Sequence, residues 1–370
     1  MSRLRVGVVG VGHLGRHHAR VLAGIEGVEL VGVADARIER ACAVAEPLGT
    51  RAVADYRELL DAVDAVSIAV PTSLHGEIAG AFLARGIPAM VEKPLAASLA
   101  EAEALVALAR AQGVVLQVGH IERFNPVLSA LDAAQLRPRY IAAERLSTYT
   151  FRSTDIGVVL DLMIHDLDLV LSLVPAPVRS VAAVGVGVFG GHEDVANARV
   201  EFEDGTVADL TASRASYQAS RLMRIWGAEG YLTLDFAARQ GTHVRPSERL
   251  RRGELDLDGL DLSQPEAIKA HVFGKILRID HVQAEGCDAL TQELEDFIRA
   301  VRTGSRPRVT GDDALRALRV ADQILQQIDT HHWEGLSDAP SDQPEPIAGL
   351  RGPITWRREA ARRAAHRAGS

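Results

Sequence analysis

Three short stretches of the chain place acid–base residues at spacings that suit chemistry. Asp161 and His165 stand four apart in Asp161-Leu-Met-Ile-His165-Asp166-Leu-Asp168, so on a helix both project from one face. A carboxylate beside an imidazole fixes its tautomer and keeps it basic, which suits proton transfer. In a chain with thirteen histidines such a pair also arises by chance, and on spacing alone a structural role is the commoner outcome. No third ligand stands at a spacing that would make the pair a metal site. Lys93, in Val91-Glu92-Lys93-Pro94, closes an apolar run at its carboxyl end. An amine there donates to a substrate oxygen or exchanges its proton; a surface lysine in a turn is the plain alternative. Pro71-Thr72-Ser73-Leu74-His75 ends the preceding apolar run in the same way, with Thr72 equally suited to capping the next helix.

A fourth stretch supplies a setting for these groups. Gly10-Val-Gly12-His13-Leu14-Gly15 follows a valine-rich run at residues 4–10 and opens a helical pattern, with Asp35 twenty residues beyond Gly15 at the end of the next apolar run. That context turns a common glycine pattern into a dinucleotide-binding fingerprint. Gly10 permits the tight turn, Gly12 lets the backbone approach a pyrophosphate, and Gly15 allows close helix–strand packing. The helix N-terminus favours the phosphates' negative charge. Asp35 can accept both hydroxyls of an adenosine ribose and would repel a 2′-phosphate, so NAD is favoured over NADP. Arg37 argues the other way, because it can bind such a phosphate or stack on adenine. A turn role for Asp35 is the plain alternative.

The elements that must position these groups alternate through the first 120 residues. Strands are expected at 4–10, 29–34, 50–53, 65–70, 89–92 and 114–118, and helices at 15–23, 40–45, 56–62, 75–85 and 99–111. Such alternation implies a doubly wound parallel sheet with right-handed crossovers, the Rossmann arrangement. Ligands then bind beyond the carboxyl ends of the strands, where Thr72, Lys93 and the glycine turn all fall. Beyond residue 120 the pattern changes to strand-like runs at 139–150, 179–189, 195–203, 206–216 and 221–236. Asp204-Gly205 reads as a tight hairpin and Glu229-Gly230 as a second. A helix is expected at 155–174 and two more at 288–303 and 312–330. The reading is an α/β chain: a Rossmann domain over 1–120, then an α+β domain with a mostly antiparallel sheet over 121–332. The section 237–268 reads as loop or insertion, and 333–370 as a flexible tail.

Composition sets outer bounds. The 370 residues exceed what one core usually serves, and 47% hydrophobic with 24% charged residues fits a globular protein. A net charge of −8 disfavours non-specific nucleic-acid binding. Cys42 and Cys287 form no CxxC pair, so neither a disulfide framework nor zinc is suggested. No stretch reaches the length of a membrane helix, and no signal-peptide pattern follows Met1. A cytoplasmic protein is expected, with neither membrane nor nucleic acid as partner.

Together, Gly10–Gly15 with Asp35, Pro71–His75, Glu92-Lys93-Pro94, Asp161 with His165, and the late Asp288-Ala-Leu-Thr-Gln-Glu-Leu-Glu-Asp-Phe stretch resemble the Gfo/Idh/MocA oxidoreductases over residues 4–330. The resemblance implies that the cofactor is held by Gly10, Gly12, His13, Leu14, Gly15, Asp35, Pro71, Thr72, His75, Glu92 and Lys93. It implies that Lys93 and His165 face the nicotinamide and share acid–base work, with Asp161 nearby. Val-Gly-His-Ile-Glu-Arg-Phe-Asn-Pro (118–126) and the run 152–168 are similar to UDP-N-acetylglucosamine 3-dehydrogenases of lipid A and surface-polysaccharide pathways. Substrate contacts are then expected from Lys93, Arg123, Asn125, Arg152, Asp161 and His165, with Arg152 meeting the diphosphate. Taken from the residues alone, Arg123 and Asn125 suit a structural role equally well. A UDP-sugar is the expected substrate, an inositol or free sugar the rival, and a non-catalytic NAD sensor a third reading that paired proton-transfer groups argue against. The second sheet needs a covered apolar face, so a homodimer or homotetramer is expected.

Overall fold

The computed structural model describes residues 3–134, 136–150, 156–189, 191–254, 263–284, 286 and 288–331. Its first sheet forms from short valine- and alanine-rich runs with no polar face, as buried parallel strands require. They are β1 (Leu4–Val9), β2 (Val28–Ala34), β3 (Arg51–Val53), β4 (Ala65–Ile68), β5 (Ala89–Glu92) and β6 (Leu116–Gly119). All pair in parallel in the order β3-β2-β1-β4-β5-β6. The order reverses between β1 and β4, and at that switch point the carboxyl ends of the strands open a crevice. Helices α1 (Gly15–Gly24), α2 (Ile38–Leu48), α3 (His75–Ala84) and α4 (Leu99–Gln112) make the crossovers. The helix expected at 56–62 is a single 3₁₀ turn, Tyr56–Leu59, capped by Asp55.

The chain then runs through α5 (Ser129–Ala134) into a second, eight-stranded sheet. Its strands are β7 (Tyr140–Leu146), β8 (Val178–Val186), β9 (Val195–Phe202), β10 (Val207–Ser213), β11 (Ser220–Gly227), β12 (Gly230–Asp235), β13 (Gln240–Pro246) and β14 (Leu277–Gln283). The order is β14-β13-β12-β11-β7-β10-β9-β8, antiparallel throughout except for β7 beside β10. Asp204-Gly205 turns β9 into β10, with the Phe202 N–H on the Thr206 carbonyl. The second hairpin turns one residue earlier than expected: Gly227 pairs with Gly230, leaving Ala228 and Glu229 at the tip.

The section 237–268 is not a plain loop. Its described residues include β13, the short helix α7 (Glu248–Arg251) and the start of α8 (Pro265–His271), and β14 follows. These two strands lie at the sheet's far end and are matched by polar pairs across the ladder. Arg245 Nε bonds Asp280 Oδ2 at 2.9 Å, and Thr242 faces His281. Apolar alternation therefore does not mark them.

One face of this sheet is covered by α6 (Ile164–Leu173) and α10 (Gly311–Thr330). Their apolar faces join residues of both sheets in one core, from Val9 and Ile68 to Ile141, Phe202 and Ile324. Helix α9 (Ala289–Thr303) turns back to the first sheet instead, packing Leu294, Phe297 and Ile298 against Val6, Val8 and Leu22. Both late helices follow from side-chain caps: Asp288 accepts from the Thr291 N–H, and Thr310 with Asp313 forms a capping box. No helix among the described residues is long and apolar enough to cross a membrane.

Candidate active site

The glycine turn is built as its spacing requires. Gly10 has φ +82°, and a Cβ there would stand 2.7 Å from the Ala69 carbonyl oxygen. A Cβ on Gly15 would collide with the Gly10 carbonyl. Gly12 has only an Arg40 guanidinium nitrogen within 4 Å of its Cβ position, at 3.8 Å, so its backbone is bare toward the crevice. A cavity of about 580 Å³ opens there, lined among others by Gly12, His13, Leu14, Asp35, Arg37 and Pro71. Asp35 is almost buried. Its carboxylate accepts the Val11 N–H (3.2 Å) and the Arg37 N–H (3.0 Å) and pairs with Arg40 (3.3 Å). It thus braces the glycine turn and fixes its own direction. A carboxylate offers about four acceptor positions, so these contacts leave room for a ribose hydroxyl. Bare glycine backbone at a helix start and an oriented carboxylate fit a dinucleotide.

Thr72 and His75 are placed differently from expectation. Thr72 lies in a 3₁₀ turn (Thr72–Leu74), and α3 has no side-chain cap. His75 is buried, with Nδ1 2.9 Å from the Pro94 carbonyl and Nε2 3.0 Å from the Val70 carbonyl. As the first residue of α3 it points under the sheet edge, and it clamps the ends of β4 and β5 rather than reaching the crevice. Burial holds its pKa down against those carbonyls and Glu92.

Glu92 also faces inward. Its Oε1 is 3.1 Å from His18 Nε2, His18 Nδ1 is 2.8 Å from Ser67 Oγ, and Oε2 accepts the Lys93 N–H at 3.3 Å. Burial opposes the Glu92 charge, but His18 and Lys93 outweigh it and hold the carboxyl below its usual range. A chain of polar contacts therefore runs from β4 through the cofactor helix α1 to the turn that carries Lys93. His18 was missing from the sequence reading; its only signal is a histidine on the sheet-facing side of α1.

Lys93 reaches across to the second sheet's domain. Its Nζ donates to the Asp161 carbonyl at 2.6 Å and to Asp161 Oδ1 at 3.1 Å. The expected Asp161–His165 pairing is not formed. Val159–Met163 is a single π-turn ahead of α6, and its wider winding takes residues four apart out of line. Asp161 therefore serves Lys93, while the buried His165 Nδ1 has no hydrogen-bond partner among the described residues. His165 and Lys93 nonetheless share the site. Burial, then the charges of Lys93, Arg145, His120 and Arg221, push the His165 pKa well below its ordinary value. The ring is neutral at neutral pH.

Behind His165 lies a buried ionic network that sequence reasoning missed. Arg145 forks onto Asp166 (2.9 and 2.8 Å) and reaches Glu122 at 2.7 Å. Two other expected substrate contacts are occupied by such packing. Arg123 is held by the buried Asp168, with Nε 2.7 Å from Oδ2. Asn125 Nδ2 donates to Glu122 and to the Phe236 carbonyl, both at 3.1 Å, and its Oδ1 accepts the Val127 N–H. Both groups are thus tied to the protein's own elements, Arg123 through its Nε and one Nη nitrogen. Arg152 lies outside the described residues, as does Cys287. No cluster of three or more metal-ligating side chains occurs among the described residues.

Residues 4–120 match the model of an oxidoreductase family's NAD-binding Rossmann fold, and residues 142–336 match that family's C-terminal alpha/beta domain. The chain belongs to the Gfo/Idh/MocA oxidoreductases. It is an NAD-binding dehydrogenase of that family. A UDP-N-acetylglucosamine 3-dehydrogenase of Acidithiobacillus ferrooxidans is 38% identical over 88% of this chain and 97% of its own length. A scyllo-inositol 2-dehydrogenase of Bacillus subtilis is 29% identical over 86% and 92%. A solved structure of the Acidithiobacillus ferrooxidans enzyme superposes with a TM-score of 0.77 at 37% identity, covering 89% of this chain and 99% of that one. A levoglucosan dehydrogenase with bound NADH shares the fold at 20% identity, with a TM-score of 0.75 over 89% and 98% of the two chains.

Proposed function

We propose that this oxidoreductase oxidises the 3-hydroxyl of a UDP-N-acetylhexosamine, UDP-N-acetylglucosamine first among them, to a 3-keto sugar. The reaction rests on Lys93 and His165 standing together beyond the sheet edge that holds the cofactor. The substrate rests on the 38% identity to a dehydrogenase of that sugar nucleotide over nearly the whole of both chains.

NAD supplies the hydride acceptor when bound. The protein's own groups deal with the hydroxyl proton, which an alcohol does not release unaided at neutral pH. Lys93 gives two of its three N–H donors to Asp161, leaving one for the substrate oxygen, where it stabilises developing negative charge. Neutral His165 offers a lone pair to the same hydroxyl and takes its proton. Its depressed pKa keeps that lone pair available, and the Asp161 carboxylate holds the Lys93 Nζ in place at 3.1 Å.

The test follows NADH formation with purified protein, NAD, and either UDP-N-acetylglucosamine or myo-inositol. Turnover of the UDP-sugar alone supports the proposal; turnover of inositol with an inert UDP-sugar refutes it. The second sheet's open face, where Tyr140 stacks on Trp226 at 5.1 Å and Trp226 lies near Tyr231, supports a homodimer or homotetramer packed there. A concentration-independent monomer by light scattering refutes that arrangement.

A further inference from the structure

The π-turn leaves His165 without the carboxylate that its spacing promised. An imidazole that exchanges protons needs a partner that decides which of its nitrogens carries the hydrogen. His165 Nδ1 is buried and has no hydrogen-bond partner among the described residues. The ring beside it is His120, edge-on at 6.2 Å between centroids and 87° between planes.

His120 is itself anomalous. It is 1% exposed, and neither ring nitrogen has a hydrogen-bond partner among the described residues. A neutral imidazole carries one donor and one acceptor, and buried polar atoms are paired in the great majority of cases. Nothing in the packing asks for nitrogens here; an apolar ring of the same size would fill the space without unmet polar atoms. The position is not peripheral. His120 directly follows β6, and Gly119 pairs with Glu92, so His120 stands level with Lys93 at the carboxyl edge. The charges that face it are Glu92 and Lys93 from the end of β5, Arg123 from the turn at Ile121–Phe124, and Asp168 from α6. The last of these elements also carries His165.

We propose that His120 is a positioning residue of the reaction site, orienting His165 through one hydroxyl that both imidazoles share. The shared chemistry is a small group that can both donate and accept. It is either a water or the substrate's own reacting hydroxyl. With that hydroxyl between the rings, the two histidines have partners and one tautomer of His165 is selected. This inference rests on the acid–base role proposed above for His165.

The experiment compares wild type with His120→Phe, His120→Asn, Lys93→Ala and His165→Ala, using NAD and UDP-N-acetylglucosamine. His120→Phe keeps the ring and removes the nitrogens; His120→Asn restores a donor and an acceptor. Expected for His120→Phe are wild-type thermal stability or better, unchanged NAD affinity, and a kcat lowered by at least about tenfold. KM changes little, and the acid limb of the kcat–pH profile moves. His120→Asn recovers part of the kcat. Nitrogen NMR of labelled histidines reports the His165 tautomer directly. If water is the bridge, one tautomer dominates without sugar in wild type and not in His120→Phe. If the substrate hydroxyl is the bridge, that contrast appears only once UDP-N-acetylglucosamine is added. Either pattern supports the proposal. Normal kcat and pH profile in His120→Phe overturn it, as does a loss that asparagine does not relieve with an unmoved profile. Near-normal turnover in both Lys93→Ala and His165→Ala would instead overturn the reaction proposal. The tautomer measurement without sugar still reads the His120–His165 coupling in that case.

Discussion

Replacing Glu293 with glutamine should remove a loss of stability that the wild-type protein suffers as pH rises. Glu293 lies in α9, fully buried, with both carboxylate oxygens lacking hydrogen-bond partners among the described residues. The Gln117 side chain pins its backbone carbonyl at 2.9 Å and so holds the group in place. Burial, then the charges of Glu92, Asp296 and Asp168, push its pKa well above the ordinary value. An unfolded glutamate gives up its proton near about pH 4.3, while the folded one keeps it to higher pH. The folded state therefore binds the extra proton, and stability falls as pH rises through that window. For one group the slope is about 1.4 kcal/mol per pH unit. The loss accumulates at that slope from about pH 5 upward for as long as the folded group holds its proton. Glutamine has the same shape and no charge, so Glu293→Gln lacks the slope, and the gap widens with pH in the variant's favour. Thermal or urea unfolding of both proteins in matched buffers from about pH 5 to about pH 8 measures it. Parallel curves, or a gap that closes as pH rises, would refute the reasoning.

Cofactor choice turns on Asp35: NAD should bind more tightly than NADP, and Asp35→Ser should narrow the ratio in titrations of both. Tighter binding of NADP by the unmodified protein would assign the pocket to Arg37 and Arg40. Lys93→Ala and His165→Ala should each lower kcat by about 10²–10⁴, with NAD affinity and folding nearly unchanged. The double variant should lose less than the product of the two. The acid limb of kcat/KM should lie below about pH 6.5, because activity needs neutral His165 and its pKa is depressed; a limb above neutrality would make Lys93 the base. Arg123→Ala should destabilise by about 3–5 kcal/mol by stranding the buried Asp168 and leave KM for the sugar nucleotide near normal. A raised KM with unchanged unfolding would return Arg123 to the substrate.

The first sheet was legible because each of its strands is a short apolar run and the glycine turn fixes where the series starts. Lys93 and His165 were legible as chemistry, since a lysine at a strand's carboxyl end and a histidine on a following helix have few ways to miss the same crevice. Their partners were not. A π-turn leaves no apolar period to read, so the geometry of Asp161 turned on a backbone detail that spacing conceals. The protein partners of Arg123 and Asn125, expected at the substrate through the resemblance, were not legible, because Asp168 and the Phe236 carbonyl lie 45 and 111 residues further on. The strands β13 and β14 were hidden for a related reason: ion pairs and hydroxyls stabilise them across the ladder, and such pairs have no periodicity along the chain.

The return of α9 to the first sheet bears on how this protein is made. Synthesis delivers β1 to β6 first, yet the helix that buries Val6, Val8 and Leu22 emerges only after the whole second sheet. At about 5–20 residues per second the intervening stretch takes on the order of 10–30 s. Through that interval the nascent nucleotide-binding half carries an uncovered apolar flank on the ribosome, a surface that chaperones recognise and that neighbouring chains on the same message can adhere to. The half of the molecule that is translated first is thus among the last to be completed.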